Sequence, residues 1–362
     1  MWISRRSRPR RDRILDFGLW TEGHTCPPCL RGDFFSNPKS QIQNPKLRKG
    51  TLIYNPVAGR RPAEREREVR QAADVLRQAG LEIELAPTAR PAMAHELAQA
   101  AAASGVDVVL ACGGDGTINE VINGLALSPV PLGILPGGTA NILARELRLP
   151  LHPVRAAREL PHWTPRRIAL GRARWEEAQA APPAGEHATQ ACCRHYISVA
   201  GIGYDAQIVY KLSPWLKNNF GVAGYVMEAL RQLVRYSFPR FSCRLDGHER
   251  QGTFAVIHRT RLYAGWLHLA PTADLFAPRF AVCSFPGRSR LRYLLYALGV
   301  LARQHLRLSD VSLDHCTEAV CTPVDASATI RFELDGELAG VIPAAFEIVP
   351  DALTLLVPEV RS

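Results

Sequence analysis

No uninterrupted apolar run in this 362-residue sequence reaches the roughly 18 residues that a helix needs to cross a bilayer. The N-terminus reads as a poor secretory signal, because the basic start leads only into ILDFGLW, a short stretch interrupted by Asp16. The cytoplasm is the default expectation. Nine cysteines are present, but not in the pattern of a disulfide framework. Cys192 and Cys193 are adjacent, while Cys112, Cys243 and Cys283 sit in apolar strand-like runs where a thiol serves as a small hydrophobe. Cys26-Pro-Pro-Cys29 has metal-ligand spacing, yet no second such pair and no histidine pair completes a four-ligand site. No stretch resembles a nucleic-acid-binding module.

Basic charge is plentiful but badly distributed. The formal net charge is +10, and residues 1–50 alone hold eleven Lys/Arg against four Asp/Glu. The high isoelectric point therefore describes the tail more than the body. Residues 1–48 read as a basic, disordered extension, and order is expected to begin near Lys49.

From Lys49 onward, apolar strand-like runs alternate with helical periodicity. Strands are expected at 51–54, 81–86, 106–111 and 131–135, and helices at 62–79, 91–103, 117–125 and 139–147. Repeated strand–helix units with continuous apolar strands predict a doubly wound, Rossmann-like α/β domain with a parallel sheet, over residues 49–160. After Pro150 the texture changes to short strands, predicting a β-rich sandwich over residues 161–340. Residues about 341–362 have room to return to the first domain. Glu176–Gln190 is polar and Ala/Pro-rich, which reads as a long hairpin loop. Two helical segments, 215–236 and 288–308, carry apolar sides flanked by arginine, fit either for packing or for a membrane interface.

The strand ends carry the chemistry. Asn55-Pro56-Val57-Ala58-Gly59 follows the first strand, Thr88 the second, GGDGTINE the third and Pro136-Gly137-Gly138-Thr139-Ala140-Asn141 the fourth. In a doubly wound sheet, loops at the carboxyl ends of the strands converge on one ligand crevice. Gly113, Gly114 and Gly116 let backbone N–H groups approach a phosphate, and Thr117 with Glu120 has the spacing of a capping box that starts a helix there. Asp115 would repel phosphate unless a cation intervenes, which makes it a candidate for Mg²⁺ or for the acceptor hydroxyl. A Walker A Gly-Lys-Ser/Thr is absent, and Asn119 stands where the dinucleotide fingerprint has its third glycine. In the second domain, Gly201-Ile202-Gly203-Tyr204-Asp205-Ala206 reads as a turn with a capping Asp, and Asp335-Gly336-Glu337 as a hairpin turn bearing two carboxylates.

Taken in order, NPVAG, GGDGTINEV, PGGTAN, GxGxDA and a late DGE resemble the diacylglycerol kinase catalytic-domain family, which includes bacterial lipid kinases and the sphingosine and ceramide kinases. The likeness runs from about Lys49 to the C-terminus. It implies ATP with Mg²⁺ bound between two domains and a γ-phosphoryl group passed to a lipid hydroxyl. By that resemblance Asn55, Gly59, Thr88, Gly113, Gly114, Asp115, Gly116, Thr117, Asn119, Gly137, Thr139 and Asn141 would contact the nucleotide. Glu337 matches the general base of bacterial members and Asp115 the base of sphingosine kinases, with Asp335 beside the first. Asp205, with Gly201 and Gly203, would face the lipid head group. Two departures stand out: Ala58 replaces a common Ser, and Ile142 replaces the Asp of a large bacterial subgroup.

The resemblance implies a peripheral enzyme at the inner membrane face, without nucleic-acid partners and with the oligomeric state open, a homodimer included. Two other functions compete. A soluble NAD kinase has no use for two apolar helices and does not explain NPVAG with DGE. A catalytically idle lipid-binding protein should have lost Asp115 or Glu337, and both are present.

Overall fold

The computed structural model describes residues 47–56, 62–178, 189–213, 215–216 and 221–359. The expectations for the basic tail, for Cys26 and Cys29, and for Ala58 and Gly59 lie outside these residues.

Four strands, β1 (Lys49–Tyr54), β2 (Glu82–Pro87), β3 (Val108–Gly113) and β4 (Leu132–Pro136), run parallel in the order β2-β1-β3-β4. All six residues of β3 are buried, as a central strand covered on both faces requires. Helices α1 (Pro62–Gln78), α2 (Met93–Ala103), α3 (Asp115–Leu125), α4 (Ile142–Glu146) and α5 (Pro153–Glu159) connect them. In α1 the buried residues Val69, Ala72, Ala73 and Leu76 follow helical spacing, and the chain leaves the helix at Gly80 with φ of 91°. Helix α2 turns alanines toward α3, and Gly124 lets the two backbones meet, since a β-carbon there would strike the carbonyl of His95. The winding reverses between β1 and β3, so the loops after these strands flank a topological switch point.

The chain continues through β5 (Thr164–Ala178), β6 (Thr189–Tyr196), β7 (Val199–Gly203), α6 (Tyr204–Lys211), α7 (Val222–Arg235), β8 (Phe241–Leu245), β9 (His248–Gly252) and β10 (Phe254–His258). After the short hairpin β11 (Leu262–Tyr263) and β12 (Leu267–His268) come β13 (Phe280–Phe285), α8 (Arg290–Leu301), β14 (Ser312–Cys316), β15 (Glu318–Pro323), β16 (Arg331–Leu334), β17 (Glu337–Val341) and β18 (Ala344–Val357). A six-stranded antiparallel sheet, β14-β13-β10-β7-β16-β17, forms one layer of a sandwich. The opposing layer contains β5, β6, β18, β15 and β8, and Tyr196, Phe241, Phe280, Phe332 and Phe346 are fully buried in the shared core. Strand β18 belongs to both parts. Its first half pairs with β15 and β5, while Leu355 pairs in parallel with Leu132 of β4, so one sheet of ten strands runs through the molecule. The architecture is an α/β parallel-sheet domain followed by an antiparallel β-sandwich.

Four local expectations fail, each for a long-range reason. Thr117 and Glu120 form no capping box. Helix α3 starts at Asp115 with Gly114 as its N-cap, and Glu120 instead accepts from the amides of Ala92 and Ala94 at 3.1 Å each, capping α2. The segment around Tyr204–Asp205 is the helix α6, not a turn. Glu176–Ala178 and Thr189–Gln190 extend β5 and β6 and are not loop. Cys243 is bonded to Cys321, its direct partner across β8 and β15, from which 78 residues of sequence separate it.

Candidate functional site

Two glycine loops meet at the carboxyl ends of β3 and β4. Gly137 donates to the carbonyl of Gly113 at 2.8 Å, and a β-carbon on Gly114 would lie 3.2 Å from Gly138 Cα. Such an approach excludes a side chain at Gly138, whose β-carbon would collide with Gly114 Cα, and crowds one at Gly114. Thr117 folds back over Gly113, its Oγ1 2.9 Å from where a β-carbon would be. Asn141, in the left-handed region at φ 48°, braces the second loop by accepting from Gly138 N–H at 2.8 Å and donating to its carbonyl at 2.9 Å. Thr139 is left exposed. On the other side of the switch point, Thr88 donates its amide to Tyr54 at 2.8 Å and so stands next to Asn55.

Asp115 ties the loops together. Its Oδ1 accepts from Ile142 N–H at 2.7 Å, and the amides of Asn141 and Leu143 also stabilise it. Burial nevertheless raises its pKa above the ordinary carboxylate value. Asn119, by contrast, is 2% exposed, and its oxygen accepts from Asn123 at 2.7 Å. Its oxygen is engaged inside the fold, while among the described residues its Nδ2 is buried without a hydrogen-bond partner.

The sandwich delivers the third element. Glu337, at the start of β17, is held by Arg194 at 2.5 Å, and its Oε1 lies 3.0 Å from a β-carbon built on Gly116. The side chain stands at the amino end of α3, where the helix dipole favours negative charge. Asp335 has a different task. Its buried carboxylate accepts from the amides of Ile197, Ser198 and Val199 at 2.8 to 3.0 Å, fastening the turn to the β6–β7 connection. Burial lifts its pKa to about 6, opposed by those three N–H groups.

Asp205 is also inside. Tyr263 donates to its Oδ1, and Glu333 hydrogen-bonds to the same carboxylate. Gly201 has no side chain because these two carboxylates fill the space a β-carbon would take, and Gly203 turns at φ 82° against the carbonyl of Thr253. In this structure the GxGxD segment is thus a support beneath the site.

Sequence reasoning missed three neighbours. The guanidinium of Arg65 lies across Gly137, and among the described residues its buried Nη1 has no hydrogen-bond partner. A buried cationic nitrogen left unpaired is costly, and a bound anion removes that cost. Tyr225 on α7 feels Glu333, Asp205, Asp115 and Glu337 together; burial first, then these charges, push its hydroxyl up to about 12. Arg194 orients Glu337. None of the three belongs to a glycine-rich or acidic motif, so their only sequence signal was helical or strand position. Among the described residues no group of three His, Cys, Asp or Glu could hold a metal ion.

Comparison with known proteins places the chain beside diacylglycerol kinases. A family model described as the diacylglycerol kinase catalytic domain matches residues 49–173. A second, described as the YegS C-terminal NAD kinase beta sandwich-like domain, matches residues 198–357. The chain is 28% identical over 305 residues to a diacylglycerol kinase of Bacillus subtilis strain 168, covering 83% of this chain and 93% of that one. It is equally 28% identical over 323 residues to a diacylglycerol kinase of Mycobacterium tuberculosis strain H37Rv, covering 88% and 98%. A crystal structure of a diacylglycerol kinase from Bacillus anthracis str. Sterne shares the fold, with a TM-score of 0.65 at 20% identity over 87% of this chain and 98% of that one.

Proposed function

We infer that this chain, which belongs to the diacylglycerol kinase catalytic-domain family, is a kinase that moves the γ-phosphoryl group of ATP onto a hydroxyl of diacylglycerol or a related lipid alcohol. The observation that carries the reading is the approach of Glu337, from the sandwich, to Gly116 in the glycine loop of the α/β domain. Phosphoryl transfer needs an anion cradle with a proton acceptor facing it, and little else from the protein.

The roles follow from position. The amides from Gly113 to Thr117 and the amino end of α3 receive phosphate oxygens. Asn55, Thr88, Gly137, Thr139 and Asn141 border the nucleotide, and Arg65, lying across Gly137, neutralises phosphate charge. The lipid oxygen attacks the γ-phosphorus, the bond to the bridging oxygen of ADP breaks, and Glu337 takes the hydroxyl proton. Mg²⁺ would neutralise charge on the phosphates, and Asp115, the carboxylate of the glycine loop, is the residue that would help to hold it.

The acceptor is read as a lipid from the surface around the site. A β-carbon on Gly221, at the foot of α7, would lie 3.8 Å from Thr139 Cγ2, so the helix rises directly from the nucleotide loop. Along it Val226, Met227, Leu230 and Val234 are exposed, and on α8 Leu291, Leu294, Leu295, Leu298 and Leu301 are exposed as well. The helices adjoin, Arg290 donating to the carbonyl of Val234 at 2.7 Å. Exposed Arg231, Arg235, Arg288, Arg290 and Arg303 flank the apolar ridge. An apolar ridge with a cationic border suits the interface of an anionic bilayer, which supports a peripheral position on the cytoplasmic membrane face. A soluble NAD kinase offers no reason for that ridge.

Phosphorylation of a lipid extract with labelled ATP, followed by identification of the product, tests the assignment. Glu337→Gln should lower kcat by about 100-fold or more while ATP affinity stays within about twofold. An unchanged kcat would remove Glu337 from the reaction.

A further inference from the structure

The two carboxylates beneath the site belong to no step of phosphoryl transfer. Asp205 is 8% exposed and Glu333 1%, and they come from elements far apart in sequence, α6 and β16. Both press on Gly201, where a β-carbon would lie 2.6 Å from Glu333 Oε1 and closer still to Asp205 Oδ2. Two ionised carboxylates in contact inside a protein repel too strongly to persist, so such pairs keep a proton between them.

The hydrogen-bond pattern says where that proton sits. Tyr263 donates to Asp205 Oδ1, and Oδ2, the oxygen beside Gly201, is the one left to meet Glu333 Oε1. Glu333 Oε2 accepts from Gly336 N–H at 2.5 Å, which leaves Oε1, the oxygen turned with Asp205 Oδ2 toward Gly201, to carry the proton. Gly336 is the middle residue of the turn between Asp335 and Glu337, and φ at Asp335 and Gly336 is 52° and 83°. A turn of two left-handed residues is costly to hold for a non-glycine residue. Here Asp335 fastens one end to the amides of Ile197, Ser198 and Val199, and Glu333 fastens the middle.

We propose that Asp205 and Glu333 share a single proton, and that this pair is the device that holds the 335–337 turn, and with it the Glu337 carboxylate, against Gly116. Glu333 and Asp205 are positioning residues; neither touches the reacting atoms. The consequence for turnover rests on the kinase reading above, whereas the shared proton does not.

Burial first, then the charge of Asp205, raise the pKa of Glu333 well above the usual carboxylate range, and burial raises Asp205. The other ionisable groups facing the pair are Asp335 on the turn, Tyr263 on the β11–β12 hairpin, Tyr225 on α7, Tyr204 on α6 and Tyr196 on β6, while Arg194 faces Asp335 and Glu337. A raised folded-state pKa means that the native protein keeps a proton the unfolded chain has lost. The stabilisation is complete below the unfolded carboxylate range and is lost as pH rises through the folded value.

Glu333→Gln tests this, because a carboxamide donates to Asp205 and accepts from Gly336 as the neutral acid does, with no proton to lose. Glu333→Leu removes both bonds. Hydrogen exchange of the Gly336 amide, corrected for its intrinsic pH dependence, should show protection falling with rising pH in the wild type, constant in E333Q and low throughout in E333L. In lipid phosphorylation, E333L should lose kcat on the order of 10- to 100-fold with KM for ATP within about twofold. E333Q should stay within about threefold of wild type at neutral pH and carry its alkaline limb to higher pH. Superimposed pH profiles for E333Q and wild type would overturn the shared proton. Wild-type kcat in E333L, or an E333Q as impaired as E333L, would overturn the positioning role. If the wild type phosphorylates no lipid, the kinase reading fails, and the exchange profiles alone decide whether the pair holds the turn.

Discussion

Single residues in this protein are constrained by neighbours that arrive from distant parts of the chain. Gly201 is the sharpest case, since its missing side chain is the volume occupied by Asp205 and Glu333. Gly201→Ala forces a methyl group into that space, and overpacking of this kind costs about 1–3 kcal/mol. Chemical denaturation should show the loss as a lower midpoint with an unchanged slope; a wild-type midpoint would mean the carboxylates have room to move. Asp115 and Asp335 teach a related lesson. As sequence both look like reactive carboxylates, yet in the fold each accepts several backbone amides and holds loops in place. Glu337 is the carboxylate left facing the glycine loop. The motifs could nominate all three but could not rank them, because rank depends on which amides each meets.

At the scale of elements, periodicity identified most helices and strands, and local capping rules identified some ends. Gly80 ends α1 as its sequence suggests. Glu120 obeys a different helix, because α2 and α3 pack side by side and its carboxylate reaches the unpaired amides of α2 first. Helix α6 was invisible because its opening glycine and Asp205 resemble a turn, and only the pull of Tyr263 and Glu333 on that Asp shows what it is for. The apolar ridge of α7 and α8 was legible as two amphipathic segments, but not as one surface. Leu230→Glu with Leu298→Glu should abolish sedimentation with vesicles containing anionic phospholipid, while turnover on a short-chain, water-dispersed lipid alcohol stays within about threefold. Undiminished vesicle binding by this double variant would assign the ridge to another partner.

At the scale of the whole molecule, strand β18 decides whether there are one or two structures. It pairs with β5 and β15 in the sandwich and reaches β4 in the parallel sheet, and Ala352, Leu353, Leu355 and Leu356 are buried in the core of the α/β domain. Ending the chain at Pro343 strips both cores of a shared strand. Such a truncation should be recovered insoluble or without a cooperative thermal transition; a soluble product that melts cooperatively would show that the α/β domain stands without it.

The sequence by itself determined the alternation of strand and helix, the change to β texture after Pro150, and the glycine loops at strand ends. These depend on local rules, periodicity of burial and backbone freedom at glycine, which a short window contains. The tertiary structure alone decided that Glu120 caps α2, that Asp335 is an anchor, that Asp205 and Glu333 lie together, and that Arg65 and Tyr225 border the site. Each of these is a contact between residues tens to hundreds of positions apart. Their energies come from burial and charge in a shared space, which no local pattern encodes.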